Sequence, residues 1–144
     1  MIGKNDRLIA ENTMLSKSFS LWEMLKTNHI RLQDAPNRVQ IDRLRLGCEM
    51  LLQPLRDSLG AIRVNSALRS HSLNEKVGGS QDSDHLYCVA YDIVPVESNL
   101  YVTFAMAYSI LPYRQLILYT KKRFIHVSYN VPNREYKREA FTIE

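Results

Sequence analysis

Two short runs near the C-terminal end constrain the fold most. Tyr113 to Tyr119 and Phe124 to Tyr129 carry the β-branched and aromatic residues that suit a pleated strand. Only a polar turn around Lys121-Lys122 separates them. Parallel strands need a crossover of about a dozen residues or more, so this pair must run antiparallel as a hairpin.

Upstream, helical patterns come first, followed by strands interrupted by short helices. Ser20 with Glu23 forms a capping box that opens a short helix over Leu21-Trp22-Glu23-Met24-Leu25. Residues 32–37 read as a loop. From Val39 to Leu59 apolar residues recur at Ile41, Leu44, Leu46, Met50, Leu51, Leu55 and Leu59, the longest helical pattern in the chain. Pro54 inside it predicts a kink or a break, and Gly60 ends it. Ala61 to Ala67 alternates as a strand, Ser70 to Val77 is a short helix closed by Gly78-Gly79, and Val89 to Val96 is a second strand. Leu100 to Leu111 is an apolar helix stopped by Pro112. Residues 1–18 are weakly patterned and read as an N-terminal arm, and Phe141 and Ile143 mark a candidate edge strand. The expected fold class is α+β in one domain: an antiparallel sheet with helices packed on one side.

Several function classes drop out early. No apolar run reaches the ~20 residues that span a bilayer, and Met1 to Asn12 lacks the apolar core of a secretory signal, so delivery outside a cytoplasm would need another route. The net charge is +4, with cations gathered near Lys121-Lys122-Arg123 and Arg134 to Arg138. Without interleaved aromatic residues this reads as a solvated basic face rather than a nucleic-acid site. Cys48 and Cys88 make no disulfide framework, and Cys48 reads as a small buried hydrophobe.

The chemistry gathers in two motifs. Residues 66 to 93 contain Ser66, Arg69, Asn74, Val77-Gly78-Gly79, Ser83-Asp84-His85 and Ala90-Tyr91-Asp92-Ile93. Phe124-Ile125-His126-Val127-Ser128 follows about thirty residues later. His85 sits in a loop, Asp92 on the next strand, and His126 mid-strand on the face opposite Ile125 and Val127. Two imidazoles and a carboxylate suit a catalytic zinc site with one open position. Taken singly, each also reads as an ordinary hydrogen-bonded residue.

In this order the motifs resemble the zinc-binding pattern of the M15 peptidases, the D-alanyl-D-alanine carboxypeptidase and peptidoglycan endopeptidase group. The pattern Ser-x-x-Arg, Asn, Val-Gly-Gly, Ser-x-His and Ala-x-Asp-Ile is met at Ser66, Arg69, Asn74, Val77, Gly78, Gly79, Ser83, His85, Ala90, Asp92 and Ile93. Tyr113-Arg114-Gln115-Leu116-Ile117 and Ile125 to Tyr129 resemble the closing strands. Phe19-Ser20-Leu21 and Pro36-Asn37 are similar to the phage and bacterial branch. The resemblance covers roughly residues 19–130 and implies a Hedgehog/DD-peptidase-like domain over residues 19–144. It implies zinc held by His85, Asp92 and His126, and Arg69 on a substrate carboxylate or oxyanion, with a structural ion pair as the competing role. Ser83 would bind substrate or shape its loop, and Gly78 and Gly79 would serve the turn.

Two departures qualify the implied activity. The family's Gly three residues after the first histidine is Cys88 here, expected to pack, with an extra soft ligand as the alternative. The acid that the family often places three residues before the last histidine is Arg123, and Tyr119 stands where some relatives carry Glu. The general base is therefore unknown. Glu97, Asp82 and Asp84 are the acids nearest the motif. The expected function is zinc-dependent peptidoglycan peptidase, as a phage endolysin or virion-associated wall hydrolase, acting from the host cytoplasm at lysis or from the particle. Its partners would be the stem peptide and other virion proteins, not a membrane or nucleic acid. The alternative is a catalytically impaired domain that binds the wall or builds the virion.

Overall fold

A computed structural model describes residues 1–144. Strands β1 (Ile62–Ser66), β2 (Ala90–Pro95), β3 (Tyr113–Tyr119), β4 (Phe124–Tyr129) and β5 (Glu139–Ile143) form one sheet in the order β1-β2-β4-β3-β5. The fold is α+β. The expected hairpin is β3–β4, and Arg123 closes its turn at φ 59°, donating its N–H to the Tyr119 carbonyl at 2.8 Å. The first four strands pair antiparallel, but β5 lies parallel to β3, so the whole sheet is mixed. The register explains this. Strand β4 ends beside the start of β3, and residues 130–138 cross that end, so the chain begins β5 there and follows β3.

Alternation gives the sheet two chemically different faces. Tyr91 and Ile93 on β2, Ile125 and Val127 on β4, and Leu116 and Leu118 on β3 are buried together in the core. Against them pack α2 (Leu21–Leu25), α3 (Arg38–Gly47), α4 (Gln53–Leu59) and α6 (Leu100–Ile110). The opposite face carries Asp92, His126, Ile117 and Tyr119 and opens to a cavity. The site thus stands on the sheet's central strands, backed by the largest hydrophobic cluster.

The long helical pattern is interrupted as Pro54 implies, though the irregularity precedes the proline. Cys48–Leu52 forms a π-helical turn between α3 and α4 within continuous helical backbone, and Pro54 follows just after it, so the regular hydrogen-bond ladder is already disturbed where the proline removes a donor. The capping box at Ser20 and Glu23 is formed: the Glu23 carboxylate accepts from Ser20 N at 2.7 Å, and Ser20 Oγ from Glu23 N at 3.3 Å.

The lead-in differs from the expected arm. Lys4–Glu11 forms helix α1, and Ala10 and Leu15 are buried in the same cluster as the sheet. The weak pattern reflects a helix that buries only one small residue. Gly47 on α3 faces Tyr91, whose hydroxyl donates to the Leu44 carbonyl at 2.9 Å. A Cβ on Gly47 would fall 2.0 Å from that oxygen, so the helix approaches the sheet only because no side chain intervenes. No helix is long and apolar enough to cross a membrane.

Candidate metal centre

Register builds the centre. Asp92 on β2 stands directly opposite His126 on β4, and a bulge between Val64 and Ser66 brings Ser66 opposite Asp92 from the other side. His85 enters from a 3₁₀ turn, Asp84–Tyr87, that leads into β2. Asp92 Oδ1 lies 3.1 Å from His85 Nε2 and 3.0 Å from His126 Nδ1. One ligating atom from each of the three residues falls within 4.8 Å of the others.

The donor chemistry fits a cation. His85 Nδ1 lies 2.7 Å from the Ala67 carbonyl, which accepts only if that nitrogen carries the proton. In the neutral ring Nε2 then turns a bare lone pair toward the Asp92 carboxylate. Two lone-pair atoms at that distance require a proton or a metal to bridge them. Ligands ~2.0–2.1 Å from a tetrahedral centre stand about 3.3 Å apart, close to the two separations observed. His126 Nε2 is buried and has no partner. Burial works against the Asp92 charge, yet with the imidazoles protonated in the absence of a metal, the charge of His85 and hydrogen bonds from His126 and His85 hold its carboxyl well below the usual range. A carboxylate kept ionised between two imidazoles is suited to holding zinc.

Arg69 braces this centre. Its Nη2 donates to Asp92 Oδ2 at 3.2 Å, its Nε to Ser66 Oγ at 3.1 Å and its Nη1 to Asn74 Oδ1 at 3.3 Å. Burial lowers its pKa, with Asp92 and Tyr119 opposing. Three of its five N–H groups are engaged, so two remain for another partner. Asn74 in turn donates to the Ser80 carbonyl at 2.8 Å. The paired glycines do different work. Gly78 has φ +74° and open space around it, so it serves the turn. A Cβ on Gly79 would fall 2.1 Å from Asn74 Oδ1 and 3.0 Å from Arg69 Nη1, so this glycine admits the brace.

Ser83 lines the cavity, and its Oγ accepts from His85 N at 3.2 Å, capping the 3₁₀ turn. Cys88 ends that turn at φ 61° and ψ 34°, a left-handed conformation that favours Gly over a residue with a side chain. Its side chain is packed, 1% exposed, and burial pushes its thiol up to about 12.

The sequence reading missed the largest polar network. Asp84 is 3% exposed, accepts from Arg114 Nη1 at 2.8 and 2.9 Å and from Ser128 Oγ at 2.8 Å, and forms an ion pair with Arg134 at 3.0 Å. Arg134 also stacks over Tyr87, 3.6 Å from its ring centroid, and Arg138 over Tyr113 at 4.1 Å. The C-terminal part of the supposed solvated basic face is therefore structural. Its signal was hard to find, because Asp84 meets Arg114 and Ser128 only across the folded sheet.

The candidate bases do not converge. Glu97 Oε2 accepts from Ala61 N at 3.1 Å beside Gly60, and it is not among the residues that line the centre's cavity. Asp84 is fully engaged, and Asp82 is an exposed rim residue paired with Arg134 at 3.6 Å. Arg123 is exposed and outside the cavity. Tyr119 does line it, its ring stacked on Phe124 at 4.3 Å. Burial and the Asp92 charge raise its phenol above the ordinary value, against Arg69, so it stays a neutral donor.

A family model described as Peptidase M15 matches residues 19–128, which takes in α2 through β4 and every residue of the centre. No curated protein sequence matches the chain.

Proposed function

From the premise that this chain belongs to the peptidase M15 family, we propose that it is a zinc-dependent peptidoglycan peptidase, cleaving an amide of the stem peptide. The observation that carries the reading is the convergence of His85, Asp92 and His126 at one end of a cavity of about 480 Å³ that also presents Arg69. His85, Asp92 and His126 would hold the zinc. Bound there, the metal supplies Lewis acidity toward a carbonyl oxygen and an attacking water. Arg69 keeps Asp92 oriented and turns its two remaining N–H groups toward a substrate carboxylate or developing oxyanion. Tyr119 offers a phenolic proton on the same face of the sheet. Ser83 holds the turn that aims His85 and is available to substrate at the cavity wall. Phe19-Ser20-Leu21 and Pro36-Asn37 support a phage endolysin or virion-associated hydrolase, with the stem peptide and virion proteins as partners.

Zinc-loaded protein should shorten purified muropeptides, and His126→Ala should abolish the cleavage. Elemental analysis should find about one zinc per chain, lost in His85→Ala. Unchanged muropeptide masses at high protein concentration would refute the enzyme. A second reading rests on one observation: apart from Asp92 and the engaged Asp84, the only carboxylate of the cavity is Asp82, exposed on its rim and paired with Arg134. Proton transfer by a general base is worth ~10²–10⁴-fold, so its loss fits a weak enzyme or a domain kept for wall binding or virion assembly. Sedimentation with intact sacculi, without cleavage, would favour that reading.

A further inference from the structure

A second cavity, of about 500 Å³, lies on the other side of Arg69, which lines both, as does Val77. Lys26, His29, Arg63 and Arg69 contribute to its walls, and none of its eleven lining residues is acidic. Within this cavity Arg69 pairs with Asp92, whereas Lys26 and Arg63 pair with no carboxylate. The Arg63 Nε donates only to Asn65 Oδ1, at 3.1 Å. Gathering like charges around a concavity raises the free energy of the empty site and favours an anion within it. Val64, Leu73 and Val77 add an apolar portion that accommodates aliphatic carbons.

We propose that this cavity is a substrate subsite for a peptide residue bearing a free carboxylate, adjoining the residue whose amide is cleaved. The inference rests on the peptidase reading for its direction: a chain whose scissile amide lies at His85, Asp92 and His126 passes Arg69 and enters this cavity. Arg69 then marks the passage between the two cavities, and Lys26 and Arg63 supply the positive charge that meets the carboxylate. Its position favours a peptide carboxylate over a polymeric phosphate, because the cavity shares Arg69 and Val77 with that of the metal centre.

The test uses two synthetic stem peptides identical but for one group: a free carboxylate beside the γ-linked glutamate, or its amide. Dissociation constants are measured by calorimetry on zinc-loaded protein, together with kcat/KM. Wild-type protein should bind the carboxylate peptide about tenfold more tightly, the scale of two partly exposed charge pairs. The preference should weaken in high salt, and the double variant Lys26→Ser/Arg63→Ser should bring it to within twofold. Both positions are exposed, and far-UV circular dichroism checks that the variant is folded. Equal affinity for the two peptides in wild type would overturn the subsite, whatever the cleavage. A clear preference with no cleavage of either peptide would keep the subsite and refute the peptidase. Displacement of the carboxylate peptide by millimolar glycerol phosphate, with no preference over the amide, would assign the cavity to wall phosphates and overturn the proposal.

Discussion

Replacing Asp84 by Asn should be among the most damaging conservative changes in this protein. The wild-type carboxylate answers two buried guanidiniums, and the side chains of Arg114 and Asp84 are 5% and 1% exposed. Asparagine has nearly the same shape but leaves Arg114 without a counter-charge and Arg134 with only the exposed Asp82 at 3.6 Å, and its amide N–H groups point at donors. Removing one partner of a buried ion pair costs about 3–5 kcal/mol. For 144 residues the unfolding entropy is about 0.3 kcal/mol per kelvin, so the melting temperature should fall by about 10–17 °C. Circular dichroism melts and urea titrations of both proteins measure this. A second substitution sharpens the test. Adding Arg134→Gln to Asp84→Asn removes one cation that has lost its buried partner, so the double variant should be more stable than the two single losses summed. A melting temperature within about 3 °C of wild type for Asp84→Asn, or strictly additive losses, would refute the view that this carboxylate holds the two arginines.

Three further outcomes follow from glycines and backbone. Gly47→Ala would ordinarily strengthen a helix by about 1 kcal/mol, but the new methyl meets the Tyr91 hydroxyl, so a loss of about 1–3 kcal/mol is expected in urea; any gain would contradict the close approach. Arg123→Gly should raise stability by up to about 1 kcal/mol, because an exposed side chain at φ 59° is relieved; a lower melting temperature would show the strain absent. Gly79→Ala should weaken zinc binding by about 10–100-fold through Asn74 and Arg69, whereas Gly78→Ala should cost about 1 kcal/mol of stability with zinc affinity kept. Equal zinc losses in competition with a chelator would count against separate roles for the two.

The parts legible in sequence are those written in local periodicity or in a side chain's own chemistry. Strands β3 and β4 read off at their observed bounds because Pro112 and the polar turn at Lys121-Lys122 frame them, and from Leu116 to Tyr119 and Phe124 to Val127 positions alternate between core and cavity. The grouping of His85, Asp92 and His126 followed from residue type and from the family's spacing. Helix α1 stayed hidden because it buries only Ala10. Strand β5 was expected only as an edge, and its parallel direction depends on where β4 ends. The Asp84 network was out of reach for a different reason. Its partners Arg114, Ser128 and Arg134 all lie far along the chain, and a lone acid beside a histidine of the candidate centre suggests catalysis before structure. Gln33, placed in a loop, proved to be buried, donating to the Leu25 and Leu68 carbonyls at 3.1 and 2.8 Å and accepting from Ser70 N at 3.1 Å. It thereby pins the segment that carries Arg69.

The two packed thiols give this fold an internal clock. Cys48 and Cys88 are buried in one cluster that spans the helices and the sheet, and burial raises both pKa values, so neither is a reactive thiolate at neutral pH. A soluble alkylating reagent can reach them only when the cluster parts. Cys48 lies on the interrupted helix and Cys88 at the end of the turn that carries His85, so mass spectrometry of timed labelling would date the opening of each half separately. Matching labelling rates would mean that the loop carrying His85 opens only when the whole domain does. A faster Cys88 would mark that loop as a unit that breathes alone, and metal occupancy would then appear as a slowing at Cys88 with Cys48 unchanged.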